Sequence, residues 1–248
     1  MEQEKIWEGK NDNRKIIFLF KSMKQEYVED TLKKGRFCFC HPTVFSRWEN
    51  KDAAQYDRWE GHSSVEAIDL YVAPIVSEKE DGTITYGKMQ KLADKGIVHM
   101  QTNESKHTPI CCFRMVERED VEIIDDRNFF FTINGAERRI INEFGHDAYV
   151  LIQITPFLER IKQAVTGCYT GAVVYKDTMN ERRFALEGKR LEIAEQIFRK
   201  DERFSWQKEY RIALDPTEQS PVFVEIGSIE DIAKSGKLAD FQGEADSN

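Results

Sequence analysis

The chain has 248 residues, 40% of them hydrophobic and 32% charged, enough apolar material to bury the core of one sizeable domain. Its formal net charge of −8 argues against the clustered positive surface of a broad nucleic-acid binder, while leaving room for an enzyme that engages a single nucleotide. No apolar run approaches the ~18 to 20 residues of a membrane span, and the polar opening MEQEKIWEGKNDNRK lacks the basic-then-apolar pattern of a targeting segment, so a cytoplasmic protein without a membrane partner is the expectation.

KIIFLF, Lys15 to Phe20, is a continuous apolar run of strand length, and the MKQEYVEDTLKKG that follows carries Tyr27, Val28, Thr31 and Leu32 at helical spacing until Gly35 stops it. A second strand, RFCFC, ends where His41-Pro42 breaks the pattern. From Thr43 to Ser64 the chain is rich in Trp, Arg, Asp and Glu with little periodicity, which predicts a loop or short helices carrying polar chemistry. Strand-like runs follow at EAIDLYV, IVHMQ, PICCFRMV, VEIID and NFFFTI, with turn signals at Asp81-Gly82 and Asn134-Gly135. Next come a short helix over 136–144, the buried strand AYVLIQI, a helix with Thr155 as N-cap and Pro156 at its first position, and the strand GAVVY. LEGKRLEIAEQIFRK places Leu186, Leu191, Ile193, Ala194, Ile197 and Phe198 on one stripe, predicting an amphipathic helix that feeds into FSWQKEYRIAL.

Residues 1–14 are expected to be a flexible N-terminus, 15–236 one α+β domain and 237–248 a disordered tail. The sequence has no GxGxxG, GxxxxGKS/T, HExxH or GxSxG, and it lacks the βαβ alternation of a dinucleotide-binding sheet. Of five cysteines, Cys38, Cys40, Cys111 and Cys112 fall in strand-like apolar runs where free cysteine acts as a small hydrophobe, and Cys168 has no evident partner. Disulfides are not expected; a zinc site at Cys38-x-Cys40 is a weak alternative because the spacing is wrong. His41 and His107 stand at strand ends with no partner identifiable from sequence.

FSWQKEYRIAL carries the densest chemistry. Read as a strand, it sends Gln207, Glu209 and Arg211 to one face and Tyr210, Ile212 and Leu214 to the other, with ~6 to 7 Å between alternate Cα atoms. A carboxylate and an amide then converge on one ligand, and Arg211 is placed to pair with Glu209. An edge strand with an ordinary polar outer face is the competing reading.

Taken in order from Phe18 to Leu214, FLFK, LKKGRFCFCHPTVF, CCFR, VVYKD and FSWQKEYRIAL resemble a large bacterial family of domain-of-unknown-function proteins. Where such proteins typically read F-N-D-P-F-E after the second strand, this chain reads VFSRWEN. The order strand, helix, Gly, strand with a late Gln207-x-Glu209 also resembles the ADP-ribosyltransferases. That resemblance implies a split, curved, mixed β-core with flanking helices, NAD+ as substrate, and no metal. It implies Glu209 as the catalytic carboxylate, bonded to the nicotinamide ribose and stabilising the cation that develops there, a task suited to a fixed charge in a partly dry cleft. It implies Gln207 as the residue that orients the acceptor, with Arg211 in support.

Transferases of this class carry Arg or His on the first strand, whereas this chain offers Lys21 and Ser22, and lysine binds phosphate only as a point charge. Arg47, Arg58, Trp59, Glu60 and His62 are therefore expected to complete the NAD+ site from the following loop, with Trp48, Trp59, Tyr175 and Trp206 available to stack on nicotinamide. The implied activity is mono-ADP-ribosylation of a nucleic-acid base or a protein side chain, in a toxin or anti-phage effector with an antitoxin or immunity partner. A non-catalytic binding or sensing module on the same scaffold is the alternative, suggested by the missing first-strand Arg or His. A metal-dependent nuclease ranks below both.

Overall fold

The computed structural model describes residues 16–46, 61–79, 83–123, 129–133, 135–176 and 196–240. Arg47, Trp48, Arg58, Trp59 and Glu60 of the expected NAD+ site lie outside the described residues, as do most of the helix read at 186–200 and the two ends of the chain.

The first strand, β1 (Ile16–Met23), runs into helix α1 (Gln25–Lys34). The helix N-terminus has no local cap; the Asp147 carboxylate accepts from Gln25 N at 2.6 Å instead. Gly35 ends the helix at φ 60, and an added Cβ there would collide with the Gly227 carbonyl, so both the turn and the close approach demand glycine. Strand β2 (Arg36–Phe39) and the short α2 (Pro42–Ser46) follow. β3 (Ser63–Val72) and β6 (Gln90–Met100) form a long antiparallel ribbon, with β4 (Ile75–Glu78) and β5 (Ile84–Tyr86) paired between them in sequence. Tyr71, Val72, Ile75, Val76, Tyr86, Met89 and Leu92 are exposed along this arm.

α3 (Asn103–Lys106), capped by the Thr102 hydroxyl, leads to β7 (Ile110–Glu117). β8 (Val121–Ile123) and β9 (Phe129–Phe131) make a small antiparallel pair. After α4 (Gly135–Glu143) come β10 (Ala148–Gln153), α5 (Ile154–Ala164), β11 (Cys168–Ala172) and β12 (Val174–Lys176). β13 (Arg199–Asp201) runs into a 3-10 helix, Glu202–Gln207, then β14 (Glu209–Leu214), β15 (Val222–Glu225), β16 (Ala233–Lys237) and a final 3-10 turn at Leu238–Asp240.

Six strands in the order β11-β14-β7-β1-β10-β16 form one sheet in which every pairing is antiparallel. The architecture is α+β, as the sequence predicts, but the main sheet is not mixed; among the described residues, parallel pairing is confined to β12 and β13. Nor do all the strands read from the sequence join it. RFCFC supplies β2, which pairs with β15 and touches the main sheet through a bridge between Cys40 and Ile110. GAVVY divides: Gly171 and Ala172 close β11, while Val174–Lys176 peels off to pair with β13. Helix α5 starts two residues early, at Ile154 rather than Pro156, with Gln153 and not Thr155 at its N-cap position and no side-chain cap. The expected tail at 237 gives way to strand and 3-10 structure through Asp240.

Because successive side chains alternate across a strand, each sheet face collects its own core. Leu19, Phe113, Val150, Tyr210 and Ile212 point to one face and pack beneath α5, where Phe37, Phe113 and Phe157 meet ring to ring at 5.1 to 5.8 Å. Phe20, Val116 and Leu151 point to the other, with Phe131, Ile133 and Ile141. Cys111 and Cys112 divide between the faces, as an extended pair must.

Two substitutions test this packing. Tyr210 is fully buried, and Tyr210→Ala is expected to cost about 3–5 kcal/mol of unfolding free energy in urea titration. Gly35→Ala is expected to cost about 2 kcal/mol or more, because it adds a side chain at positive φ against a backbone carbonyl.

Candidate functional site

Glu209 is the first residue of β14, and Gln207 is not on that strand. Asp201 accepts from Arg203 N at 3.1 Å to start the 3-10 helix, and Lys208 then takes a left-handed conformation at φ 42. That strained residue is held by its own side chain, which donates to Asp120 at 2.7 Å and Glu117 at 3.4 Å, while its carbonyl accepts from Met115 N. The turn rotates Gln207 out of register with Glu209, so the amide and carboxylate do not form the same-face pair expected of an extended segment.

Glu209 and Arg211 do share a face, and both are buried, at 6% and 1% exposure. Arg211 Nε donates to Glu209 Oε1 at 2.6 Å, Lys200 Nζ donates to Oε2 at 3.0 Å, and Arg211 Nη1 donates to the Ile197 carbonyl. The segment 196–201 therefore lies over the charged face of β14. Burial alone would raise the Glu209 pKa, but the Arg211 and Lys200 charges outweigh it and hold the carboxyl well below the usual range. The Tyr175 hydroxyl accepts from Glu209 N at 2.8 Å, and burial together with the Glu209 charge raises that phenol's pKa. Tyr175 and Arg211 thus join Glu209 in one cluster, made of side-chain and backbone contacts within the protein.

A second buried ion pair lies on the same face, where Arg114, the residue opposite Glu209 on β7, donates to Glu137 of α4 and to the Thr132 carbonyl.

Lys21 and Ser22, expected to hold one NAD+ phosphate or ribose, point to opposite faces of β1 because they are adjacent on a strand. Lys21 Nζ donates to the Cys112 carbonyl at 2.9 Å and lies 5.1 Å from the Phe113 ring centre. Ser22 Oγ is hydrogen-bonded to His146 Nδ1 at 2.9 Å. Burial and the Lys21 charge push the His146 pKa down to about 4, so its imidazole is neutral at physiological pH. His146 lines a cleft of about 290 Å³ with Ile133, Arg138, Ile141, Asn142, Asp147, Leu238 and Ala239.

His62 follows Gly61, whose carbonyl accepts from Ser105 Oγ at 3.2 Å and which packs on Pro42 and Gln101, near α2 and α3. Trp206 is half-buried in the 3-10 helix before β14. His41 and His107 find each other, their rings meeting edge to face at 5.5 Å, and His107 reaches Glu218 at 3.5 Å.

Sequence reasoning missed Lys200, Glu137 and His146. Lys200 ends the segment read as an amphipathic helix, Glu137 falls in the short helix read over 136–144, and His146 precedes the strand AYVLIQI, none of them with a role assigned. Their roles appear only with their partners, Glu209 for Lys200, Arg114 for Glu137 and Ser22 for His146. No family model, curated protein or solved structure matches the chain. No group of three or more potential metal ligands occurs among the described residues.

Glu209→Gln leaves Lys200 and Arg211 buried without a counter-charge and is expected to cost about 3–5 kcal/mol in stability at pH 7. The unfolded carboxyl, with its ordinary pKa of 4.5, takes a proton before the folded one does. Unfolding titrations should therefore show the wild-type advantage undiminished above that pKa and shrinking as pH falls below it. His146 gives an acid dependence that begins at higher pH. The unfolded imidazole protonates near its ordinary 6.5 and the folded one only near 4, so stability should decline from pH 6.5 towards 4, with a slope that His146→Leu reduces.

Proposed function

We propose that the chain is a small-ligand binding or sensing module on an ADP-ribosyltransferase-like α+β scaffold, with the cleft beside His146 as its ligand site. The observation that carries this reading is the Glu209 carboxylate, whose two oxygens are taken by Lys200 and Arg211 inside the protein. A carboxylate that serves a ribose must present an oxygen to the ligand. Here the charge is spent on holding segment 196–201 against the sheet.

The cleft has the other attributes of a site. Its volume of about 290 Å³ falls just below the ~300–1,000 Å³ typical for small-molecule pockets, which suits a ligand smaller than a whole dinucleotide. Arg138 is among the lining residues, and a neutral His146 that accepts from Ser22 at Nδ1 would offer an N–H at Nε2. Those donors favour a carboxylate or phosphate group, and Ile133, Ile141 and Leu238 supply an apolar wall. Asp147, also on the lining, is engaged with the N-terminus of α1 through Gln25. Ser22 keeps a place beside the ligand in this reading, one hydrogen bond behind His146.

NAD+-dependent mono-ADP-ribosylation is the second reading. It is favoured by the ionised, fixed state of Glu209 and by Tyr175 at its side. It requires Lys200 to withdraw so that Oε2 meets the ribose, and the acceptor base or side chain and an antitoxin or immunity partner belong to this reading alone.

Incubation of purified protein with NAD+, followed by quantification of released nicotinamide, separates the two. The binding module is expected to release no more nicotinamide than buffer does. It should also gain thermal stability from millimolar inorganic phosphate or ADP-ribose, a gain that Arg138→Ala diminishes. Nicotinamide release by the wild type that Glu209→Gln abolishes, in a variant shown by circular dichroism to be folded, would establish the transferase instead.

A further inference from the structure

Neither reading uses the thiols at the end of β2. Phe37 and Phe39 enter the core at 2% and 0% exposure, so alternation along the strand turns Cys38 and Cys40 the other way, where Cys38 is exposed and Cys40 half-buried. Their sulfurs lie 3.8 Å apart. Both positions are fixed by backbone pairing: Cys38 opposite Phe223 of β15, and Cys40 by reciprocal hydrogen bonds with Ile110 at 3.0 and 2.8 Å. Residues two apart on an extended strand have Cα atoms about 6.6 Å apart, within the span of a disulfide.

The electrostatic setting makes the two thiols unequal. The hydrogen bond with Cys40 holds the Cys38 pKa down to about 7 against the effect of burial, and the positive charges of Lys21 and Arg36 act in the same direction as that bond. The Cys40 pKa is pushed up, first by the same hydrogen bond and then by burial. An exposed thiolate beside a protonated thiol is the arrangement in which one sulfur attacks and the other resolves.

We propose that Cys38 and Cys40 form a redox-active dithiol that a small hydroperoxide oxidises reversibly to an intrachain disulfide. The Cys38 thiolate attacks the peroxide oxygen, the O–O bond breaks, and Cys38 becomes a sulfenic acid as hydroxide leaves. Cys40 then attacks the Cys38 sulfur, the S–O bond breaks, and the sulfenic oxygen departs with the Cys40 proton as water. The hydroxide formed in the first step takes up the proton that Cys38 released on ionising. Two thiols and one peroxide thus give one disulfide and two waters.

The test uses the full reduced chain, treated with one equivalent of hydrogen peroxide, denatured, alkylated with iodoacetamide and digested with trypsin. Cleavage after Arg36 and Arg47 releases a peptide, Phe37 to Arg47, that contains these two cysteines and no other. It is expected to appear unalkylated and lighter by two hydrogen atoms, and to recover two alkyl groups when dithiothreitol precedes alkylation. Cys40→Ser should leave Cys38 as a sulfenic acid that dimedone captures, and Cys38→Ser should leave Cys40 fully alkylated after peroxide. Circular dichroism establishes that each variant is folded. Retention of both alkyl groups in the oxidised wild type, conversion of Cys38 straight to a sulfonic acid, or prior oxidation of Cys112 would overturn the proposal.

Discussion

One buried carboxylate sets the terms for half of this molecule. Glu209 stands against Arg211 and Lys200, and charges removed from water are tolerated only when paired and hydrogen-bonded on nearly every side. Each partner then acquires an obligation of its own. Lys200 reaches the carboxylate only if β13 lies over β14, and Arg211 finds its second acceptor at Ile197 only if the chain just before β13 is packed there as well. The 3-10 helix and the left-handed Lys208 between β13 and β14 are the connection this geometry needs, and Asp120 and Glu117 hold Lys208 in its strained conformation.

The same logic extends across the sheet. Arg114 faces Glu209 across the β7–β14 ladder but turns to Glu137, which ties α4 to the face that the other ion cluster shares. One face of the sheet is thus an aromatic and aliphatic core that takes in one lysine, Lys21, over the Phe113 ring. The other interleaves apolar groups with fixed charges, and its cleft opens where Ser22 and His146 meet. Polar chemistry gathers on the second face because each strand contributes its alternate residues there, including the odd-numbered positions of β14 and the even-numbered positions of β1.

How much of this was legible in the sequence depended on the distance between partners. Strand runs such as KIIFLF, ICCFRMV and AYVLIQI announced themselves, since a strand buried on both faces needs a continuous apolar stretch. The pairing of Arg211 with Glu209 was legible because i and i+2 share a strand face. The position of Gln207 was not, because the boundary of β14 is set by Lys208, and Lys208 is held by Glu117 and Asp120 some ninety residues earlier. Lys21 and Ser22 were both assigned to the NAD+ site by resemblance, although alternation sends strand neighbours to opposite faces. His146 carried no local signal, since its role depends on Ser22, 124 positions away.

The strand order of the main sheet has a bearing on how the chain comes to be made. No two neighbours in β11-β14-β7-β1-β10-β16 are consecutive strands of the chain. A nascent chain emerging from its N-terminus offers β1 first, yet β1 must wait for β7 on one side and for β10 on the other. β10 in turn keeps an open edge until β16 has been synthesised. Such non-local pairing folds slowly, because loop closure comes before the contacts that reward it. During that interval Leu19, Phe20 and their apolar neighbours remain uncovered, the condition under which a growing polypeptide aggregates or recruits a chaperone.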